Sequence, residues 1–173
     1  VIDADLPLRM EDFRASERAF QLLTQVSGRA GRGDRAGEVF IQTYAPHSSS
    51  IQFSRKGDVE GFIEEESELR KEFSYPPYRQ LVRHIFRGRS KDKTLFYAEQ
   101  WSKRLEQHPI EGVEVKGPAP APLERLKGYY RFHFFYFTQQ IPKFLRGYHK
   151  LRSEFPLDKE VHDILDIDAN QLS

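Results

Sequence analysis

The sequence contains no cysteine. Disulfide bonds, thiolate metal ligands and cysteine nucleophiles are therefore excluded for this chain. It also lacks any run of about 18 apolar residues, which is the length that a membrane-spanning helix requires. The pattern G-x-x-x-x-G-K-[ST] is absent as well. The chain therefore does not itself carry the phosphate-binding loop of that class of nucleotide-hydrolysing enzymes.

The residues that are present suit a folded protein. The chain has 173 residues, of which 38% are hydrophobic and 14 are phenylalanine. This length allows one ordinary domain or two small ones, and the apolar content is too high for a disordered chain. The sequence begins at Val1 inside an apolar run, without methionine and without a signal peptide. We therefore expect it to be part of a larger protein.

Charge is distributed unevenly, although the formal net charge is only +1. Residues 58–73 hold seven acidic side chains and two basic ones. Residues 75–96 hold six basic side chains and one acidic one, and residues 117–152 hold seven and one. A nucleic acid responds to such local basic surface more than to the total charge. The same pattern is also typical of an ordinary solvated surface.

The first part of the chain predicts a truncated βαβ-type arrangement. Residues 1–6 predict the end of a buried strand, and residues 38–44 predict a second strand. Between them, apolar residues at helical spacing predict a helix that follows Asp12 and ends at Gly28. A loop rich in glycine and arginine is expected from there to Gly37.

A domain boundary is predicted near the middle of the chain. Residues 47–57 predict a polar connection, and Asp58 is a suitable N-cap for the helix that follows. Tyr75-Pro76-Pro77-Tyr78 cannot continue a helix, because proline lacks a backbone donor and restricts the residue before it. We therefore expect one domain over residues 1–74 and a second over residues 75–173.

The second domain has a regular pattern of elements. They are strand 79–87, helix 92–107, strand 112–116, an extended proline-rich loop 117–122, strand 129–137, a helix around 141–151 and strand 160–168. The order β-α-β-β-α-β suits a four-stranded, ferredoxin-like sheet with both helices on one face. The predicted fold class is therefore α/β for the first domain and α+β for the second.

The sharpest motif lies at the end of the first predicted helix, Gln25-Val26-Ser27-Gly28-Arg29-Ala30-Gly31-Arg32. Glycine lets the main chain approach a ligand closely, and guanidinium groups match the oxygens of a phosphoryl group. An arginine in such a position can accelerate phosphoryl transfer by several orders of magnitude. The alternative interpretation is a flexible basic loop on the surface.

This motif, Gln25-x-x-Gly28-Arg29-x-Gly31-Arg32, resembles motif VI of superfamily-two helicases. Other segments resemble, in the same order, the family of primosomal replication-restart helicases (primosomal protein N′, PriA). They are Asp3-Ala4-Asp5, Asp12-Phe13-Arg14-Ala15-x-Glu17-Arg18, Gln21-Leu22-Leu23-x-Gln25-Val26, Tyr75-Pro76-Pro77-Tyr78, Gly117-Pro118-Ala119-Pro120-Ala121-Pro122, Gly128-x-Tyr130-Arg131 and Ile167-Asp168. The matches span nearly the whole chain. Ser27 departs from the alanine that the family generally has.

The resemblance implies a fold and an activity. Residues 1–74 would be the C-terminal part of the second RecA-like helicase lobe, and residues 75–173 a C-terminal DNA-binding domain. The complete enzyme would be an ATP-dependent 3′→5′ DNA helicase. It would recognise stalled replication forks and D-loops and would initiate primosome assembly for replication restart.

The resemblance also implies site residues. Arg29 and Arg32 would be catalytic and would reach the γ-phosphate of ATP, while Gln25, Gly28 and Gly31 would bind the nucleotide. ATP and Mg²⁺ would be cofactors of the full-length enzyme, whose phosphate loop and Mg²⁺-binding acids lie in the other lobe. Zinc is expected upstream. This chain alone should therefore be inactive and bind no cofactor.

A second candidate region follows the proline-rich loop. Basic side chains can bind phosphates while aromatic rings stack on unpaired bases. We therefore predict that Arg125, Lys127, Tyr129 and Arg131 bind DNA. The alternative for the aromatic strand is a place in the core, since its aromatic residues alternate along one face. A set of arginines on the preceding strand could extend the basic surface if that strand face is exposed: Arg79, Arg83, Arg87 and Arg89.

Partners follow from the resemblance too. They are forked or single-stranded DNA, the single-stranded-DNA-binding protein and primosome loader proteins, in the bacterial cytoplasm at the nucleoid and away from membranes. The six histidines show no metal-ligand spacing, so no metal site is predicted. A rival hypothesis is a protein-docking module of the primosome with little DNA affinity, which the near-zero net charge and the acidic helix favour.

Overall fold

The computed structural model describes residues 1, 3–9, 12–30, 38–167 and 169. This part of the chain is a mixed α/β structure with five α-helices and one four-stranded antiparallel sheet. It divides into two units, Val1–Phe73 and Ser74–Ser173. Each unit has its own buried core, and the two are described separately.

The first unit is helical. A 3₁₀ turn at Pro7–Arg9 is followed by α1 (Ala15–Ala30), α2 (Ser49–Lys56) and α3 (Val59–Glu72). Phe20 of α1 stacks on Phe62 of α3, with ring centroids 4.0 Å apart. Asp58 caps α3 as predicted, because its carboxylate accepts a hydrogen bond from the Gly61 amide.

The two strands predicted in this unit are wrong for the described residues. The segments 1–6 and 38–44 do lie side by side, since the Ala4 amide donates to the Gln42 carbonyl and the Gln42 amide to the Val1 carbonyl, each at 3.0 Å. Within the described ranges, no third segment of this unit forms a strand beside them. A lone pair of extended segments is marginally stable, which explains why no regular ladder forms.

Asp5 holds the second of these segments in place. Its carboxylate accepts hydrogen bonds from the Thr43 hydroxyl and from the Tyr44 amide, both at 2.6 Å. The Thr43 bond, followed by the Tyr44 bond, lowers the pKa of Asp5. Asp5 therefore has a structural partner on both of its carboxylate oxygens.

One helix boundary in this unit differs from the prediction, and one helix was not predicted. α1 continues past Gly28 to Ala30, because a helix-interior glycine costs only about 1 kcal/mol and does not by itself end a helix. The stretch 47–57, predicted as a polar connection, contains α2. Its buried stripe consists of Ser50, Ile51 and Ser54, so two small polar residues hide the apolar periodicity that would reveal a helix.

The second unit follows the predicted order of elements. They are β1 (Gln80–Gly88), α4 (Lys91–Gln107), β2 (Val113–Leu126), β3 (Tyr129–Thr138), α5 (Ile141–Ser153) and β4 (Val161–Ile167). The strands lie in the order β2-β3-β1-β4, and each neighbouring pair is antiparallel. α4 begins one residue earlier than predicted, with Ser90 as its cap.

Both helices pack against one face of this sheet. The core contains Phe86 of β1 and Phe134 of β3 together with Trp101 of α4 and Phe144 of α5. Since side chains alternate along a strand, the other set of positions forms a second face. We call it the helix-free face, and it comprises Leu81, Arg83, Ile85 and Arg87 of β1, Tyr129, Arg131, His133, Phe135 and Phe137 of β3, and His162, Ile164 and Asp166 of β4.

The proline-rich segment corrects another prediction. Residues 117–122 were expected to form a loop, but they lie inside β2. β2 is an edge strand, where missing amide donors can be tolerated. Its pairing with β3 is nevertheless interrupted, with register shifts between Lys116 and Ala119 and between Pro120 and Arg125.

Candidate nucleic-acid interface

The motif residues Gln25 and Arg29 lie on the last turns of α1. They are four residues apart, which places them on the same side of the helix. Both are exposed, whereas the buried side of α1 carries Ala19, Phe20 and Leu23. The two side chains are therefore available to a ligand that approaches the end of α1.

Of the other three predicted site residues in the motif, the structure describes only Gly28. Gly28 is an exposed residue inside α1, and no atom lies within 4 Å of the position that a Cβ would take. Gly31 and Arg32, which the sequence also assigned to nucleotide binding and catalysis, lie outside the described residues. The described part of the motif therefore comprises Gln25, Gly28 and Arg29 on the last turns of α1.

The predicted DNA-binding residues surround the hairpin between β2 and β3. Its two-residue turn is Lys127-Gly128, and both residues have positive φ, +49° and +83°. This geometry matches the right-handed twist of the flanking strands. Lys127 is exposed at the tip of the turn. The turn also sets the register that pairs Arg125 with Tyr130.

The structure does not bring all four predicted side chains to one surface. Arg125 lies over the ring of Tyr130, with its guanidinium carbon 5.2 Å from the ring centroid. Tyr130 has the same strand alternation as the core residues, so this pair is on the helix side of the sheet. Tyr129 and Arg131 are on the helix-free face, and Lys127 lies between the two groups. The prediction treated these residues as one cluster because the turn register was not known.

Tyr129 has two cationic neighbours. The guanidinium carbons of Arg87 and Arg89 lie 5.6 Å and 5.8 Å from the centroid of its ring. These distances are typical of cation–π contacts. A cavity of about 510 Å³ opens beside the ring, lined by Arg89, Ser90, Tyr129, Lys159, Glu160 and His162.

The four arginines of the β1 region separate into two kinds. Arg79 forms an ion pair with Glu114 at 2.6 Å, and Arg83 forms one with Asp166 at 3.2 Å. Arg87 and Arg89 instead contact Tyr129. Only the second pair therefore extends the basic surface at the hairpin end of the sheet.

Lys159 and His162 were not singled out from the sequence. His162 pairs in register with Arg87, and both Lys159 and His162 line the cavity next to Tyr129. The sequence carries no local signal for this, because β4 is far from β1 in the chain. Their proximity depends on the strand order of the sheet.

Comparison with known proteins bears on this second unit directly. A family model described as the C-terminal domain of primosomal protein N matches residues 71–169. The chain belongs to this family. The resemblance drawn from the sequence motifs is thereby confirmed.

Relatives of the primosomal protein N family extend the similarity into the first unit. The chain is 41% identical over 132 residues to the replication restart protein PriA of Bacillus subtilis, a match that covers 76% of this chain and 16% of that protein. It is 38% identical over 159 residues to PriA of Rickettsia prowazekii, covering 88% and 24%. The match to PriA of Synechocystis is 36% identical and covers 100% and 20%. The chain thus spans no more than a quarter of the length of these relatives.

Three arginines lie close together on the helix-free face of the primosomal protein N domain: Arg83, Arg87 and Arg131. We call them the basic strip. Burial, followed by the charges of Arg83 and Arg131, lowers the pKa of His133 to about 4. Burial, followed by Arg83 and Arg87, also lowers the pKa of Arg131. These shifts have a common cause, because several cationic groups share one partly desolvated region.

A polar network crosses the core on the opposite side of the sheet. His84 is fully buried, and its two ring nitrogens lie 3.0 Å from the Tyr136 hydroxyl and 3.1 Å from Asp163. Trp101 donates to the same hydroxyl at 2.7 Å, and Arg152 donates to both oxygens of Asp163. A neutral His84 with its hydrogen on Nε2 satisfies every one of these bonds.

The pKa shifts agree with a neutral histidine beside a charged carboxylate. Burial lowers the pKa of His84 more than the neighbouring Asp163 raises it. Burial alone would raise the pKa of Asp163, but hydrogen bonds from His84 and Arg152 outweigh it and hold that pKa below its usual range. The network joins β1, β3 and β4 of the sheet to both helices, α4 and α5.

The sequence left open whether the aromatic residues of β3 lie in the core or on a DNA-binding surface. Phe132, Phe134 and Tyr136 are buried in the core, which confirms the structural interpretation of that strand face.

In the part of the chain that the structure describes, no group of three or more His, Cys, Asp or Glu side chains could hold a metal ion. Among the same residues, no helix is long and apolar enough to cross a membrane.

Proposed function

We propose that this chain is the C-terminal part of an ATP-dependent 3′→5′ DNA helicase that acts in replication restart. Its second unit would be a ferredoxin-like domain that binds stalled forks, D-loops or single strands. The strand order β2-β3-β1-β4, with both helices on one face, supports this fold. Membership of the primosomal protein N family supports the biological setting.

One observation carries the DNA-binding proposal. At the hairpin end of the sheet, the aromatic ring of Tyr129 lies against two guanidinium groups, with Lys127 exposed beside it. Cations attract the phosphate backbone, and aromatic rings and guanidinium planes stack on unpaired bases. Arg125 and Arg131 would contact the backbone from the two sides of the hairpin.

The first unit would complete a nucleotide site in the longer protein. Arg29 and Arg32 would stabilise negative charge on the γ-phosphate of ATP, and Gln25, Gly28 and Gly31 would contact the nucleotide. The exposed side of α1 with Gln25 and Arg29 supports this assignment. The sequence has no phosphate loop and no cysteine, so it does not fit a complete ATP–Mg²⁺ site or a thiolate zinc site. This chain alone would therefore be inactive.

The protein would act at the nucleoid in the bacterial cytoplasm, together with the single-stranded-DNA-binding protein and primosome loader proteins. A docking role with little DNA affinity is the alternative. It is favoured by a groove of about 820 Å³ between the C-terminal end of α4 and α5, which includes the apolar side chains of Ile110 and Leu151.

A paired substitution tests the DNA-binding proposal. Lys127→Ala removes an exposed charge at the hairpin tip, and Lys103→Ala removes an exposed charge on α4, on the other side of the sheet. We expect Lys127→Ala to weaken binding to a labelled fork severalfold and Lys103→Ala to leave it unchanged, as measured by fluorescence anisotropy. Equal effects of the two variants would contradict the assignment of the hairpin to DNA.

A second test addresses the first unit in the longer protein. Arg29→Ala should abolish DNA-stimulated ATP hydrolysis while leaving fork affinity nearly intact, because the side chain would contact the transferring phosphoryl group and not the DNA. Steady-state ATPase assays and anisotropy on the same preparation measure the two quantities. Unchanged turnover would contradict the catalytic assignment.

A further inference from the structure

Cationic side chains occupy neighbouring positions across the helix-free face. Arg87 in the middle of this row pairs in register with Arg131 of β3 on one side and with His162 of β4 on the other. Directly opposed residues in an antiparallel sheet have Cβ atoms about 5 Å apart. Two residues further along, His133 lies opposite Ile85. With Arg83, the face therefore holds three guanidinium groups and two imidazoles close together.

The positive charge of this row is not balanced by acidic side chains. In the described ranges, the carboxylate of Asp166 pairs with Arg83, and no carboxylate forms an ion pair with Arg87 or Arg131. Arg131 is only 9% exposed, and its one hydrogen bond among those residues is a long one of 3.5 Å to the Leu123 carbonyl. Like charges directly opposite each other on a sheet destabilise it.

Several polar atoms in this region also lack partners. Nε and Nη1 of Arg83 and Nδ1 of His133 are buried without a hydrogen bond. Arg83 is 9% exposed and His133 is 8% exposed. Each buried polar atom left unpaired costs about 1–3 kcal/mol. An anion that binds beside them would offset both the repulsion and part of this cost.

We propose that Arg87 and Arg131, flanked by His133 and His162, form a phosphate-binding site, and that its occupant is a backbone phosphate of a single DNA strand bound at the end of the helix-free face where Arg87 and His162 are exposed. This proposal rests on the DNA-binding function proposed above and specifies its location. It adds Arg87, His133 and His162 to the residues assigned there.

The surroundings of the site favour a single strand over a duplex. Tyr129 is two residues from Arg131 on the same strand face, a separation of about 7 Å. The cavity of about 510 Å³ beside Tyr129 has space for an unpaired base, and Arg89 and Lys159 at its edge supply further charge. In a duplex the bases are stacked on each other and cannot enter such a cavity without leaving the helix. Leu81, Ile85 and Phe137 of the helix-free face are buried, so a strand would reach only the end of this face, where Arg87 and His162 are exposed and Tyr129 is half-buried. Aromatic side chains on a sheet stack unpaired bases in known single-strand-binding domains.

His133 provides a spectroscopic reporter inside the site. Burial, Arg83 and Arg131 hold its pKa at about 4, so a bound phosphate should raise that pKa by offsetting the two guanidinium charges. The other charged groups on the elements around it are Arg87 of β1, Glu114 and Lys116 of β2, and His162 and Asp166 of β4.

The experiment uses the 173-residue chain and a labelled single-stranded oligothymidylate. Arg87→Gln removes an exposed charge from the site, and Arg146→Gln removes an exposed charge from α5, on the helix side of the sheet. We expect Arg87→Gln to weaken binding roughly five- to tenfold and to reduce the salt slope by about 0.7, as the loss of one phosphate contact predicts. Arg146→Gln should match the unchanged chain.

Two further measurements complete the test. NMR titration should show that the pKa of His133 rises on addition of the oligonucleotide, and Arg87→Lys should retain most of the affinity because the charge is kept. Thermal melting of each variant checks that it is folded, and the exposure of Arg87 makes a loss of folding by its substitution unexpected. Inorganic phosphate alone serves as the competing source of the same chemistry.

The possible outcomes separate this inference from the proposed function. Unchanged oligothymidylate binding by Arg87→Gln, or an unchanged pKa of His133, contradicts the site but leaves DNA binding elsewhere on the chain intact. A response of His133 to inorganic phosphate without any binding of the oligonucleotide contradicts DNA as the occupant. Failure of the unchanged chain to bind any DNA contradicts the proposed function itself.

Discussion

At the scale of single residues, Asp163 connects several side chains of the second unit. It accepts hydrogen bonds from Arg152 at 2.7 Å and 2.9 Å and from the Tyr148 hydroxyl at 3.2 Å, and it lies 3.1 Å from His84. Its side chain is 14% exposed. The carboxylate therefore satisfies groups from β1 and α5 at once, and its removal leaves them unpaired.

We expect Asp163→Asn to destabilise the second unit by about 2 kcal/mol, because it removes the carboxylate that pairs with the partly buried guanidinium of Arg152. Trp101 is the only tryptophan and lies in this core, so its fluorescence in a urea titration reports on this unit. Glu99→Gln, an exposed carboxylate on α4, is the matched control and should change little. A loss below about 1 kcal/mol for Asp163→Asn would contradict the importance of the network.

The same residue contributes to the pH dependence of stability. Since the pKa of Asp163 is lower in the folded than in the unfolded chain, its stabilising effect is present above the unfolded value of about 4. It is lost as the pH falls below that value. Asp163→Asn should therefore show a weaker loss of stability below pH 4 than the unchanged chain, measured by urea titrations at several pH values.

His133 also makes stability fall as the pH falls, but in a different range. Its pKa is lowered from 6.5 to about 4, so between these values the unfolded chain binds a proton that the folded chain excludes, and folding becomes less favourable as the pH falls from 6.5 to 4. We expect the NMR signal of His133, assigned by its absence in His133→Gln, to titrate with a midpoint near 4 in the free chain. A midpoint near 6.5 would show that the ring is solvated and that the basic strip is not desolvated.

Single residues also mark the limit of what the sequence could predict. The alternation of Phe132, Phe134 and Tyr136 was sufficient to indicate a core face. The positions of Arg125 and Arg131 on opposite sides of the sheet depend on the Lys127-Gly128 turn and its register. The contact of Arg87 with Tyr129 depends on the pairing of β1 with β3. Such long-range pairing leaves no signal in the local sequence.

At the scale of secondary-structure elements, α1 is the element on which the nucleotide-binding proposal depends. It extends two residues past Gly28, so that Arg29 lies in its last turn. A cationic side chain in that position is favourable for the helix dipole. The motif is therefore part of a regular helix up to Ala30, rather than a loop that starts at Gly28.

Gly28→Ala tests this description of α1. Since Gly28 is helical and no atom lies within 4 Å of a Cβ, we expect the substitution to stabilise the first unit by about 1 kcal/mol. Ser27→Ala in the same turn is the control and should give a smaller gain. Far-ultraviolet circular dichroism during a urea titration measures both. A destabilising effect of Gly28→Ala would contradict the helical assignment.

The edge strand β2 provides a second test at this scale. Gly117 has φ +117°, and a Cβ there would lie 2.6 Å from the His133 carbonyl oxygen of β3. We expect Gly117→Ala to destabilise the second unit by about 1–3 kcal/mol through strain and this backbone clash. Gly112→Ala has φ +77° and no atom within 4 Å, so it should cost only the strain of the positive φ. Equal losses in Trp101-detected urea titrations would show that the contact with β3 is absent.

Elements with clear periodicity were predictable, and the others were not. The stripe of Ala98, Trp101 and Leu105 identified α4 because each apolar residue recurs at helical spacing. α2 was missed because its buried side consists mainly of serine. The proline-rich segment was assigned to a loop because prolines oppose strand pairing, although an edge strand tolerates them.

At the scale of the whole molecule, opposite charges are separated along the chain and the total is close to zero. In the second unit the sheet order places basic residues from β1, β3 and the region before β4 near one end, around Tyr129. The family and the β-α-β-β-α-β order could be predicted from motifs and periodicity. The location of the basic surface could not, because it requires the three-dimensional order of the strands.

The central claim is that this chain binds DNA through local basic surface, despite its net charge of +1. The most direct test is fluorescence anisotropy of the 173-residue chain with a fork, a blunt duplex and a single strand, each at several salt concentrations. The account predicts tighter binding to the fork and the single strand than to the blunt duplex, with affinity that falls linearly in a log–log plot against salt. A folded chain that binds none of the three would contradict the account and favour the docking role.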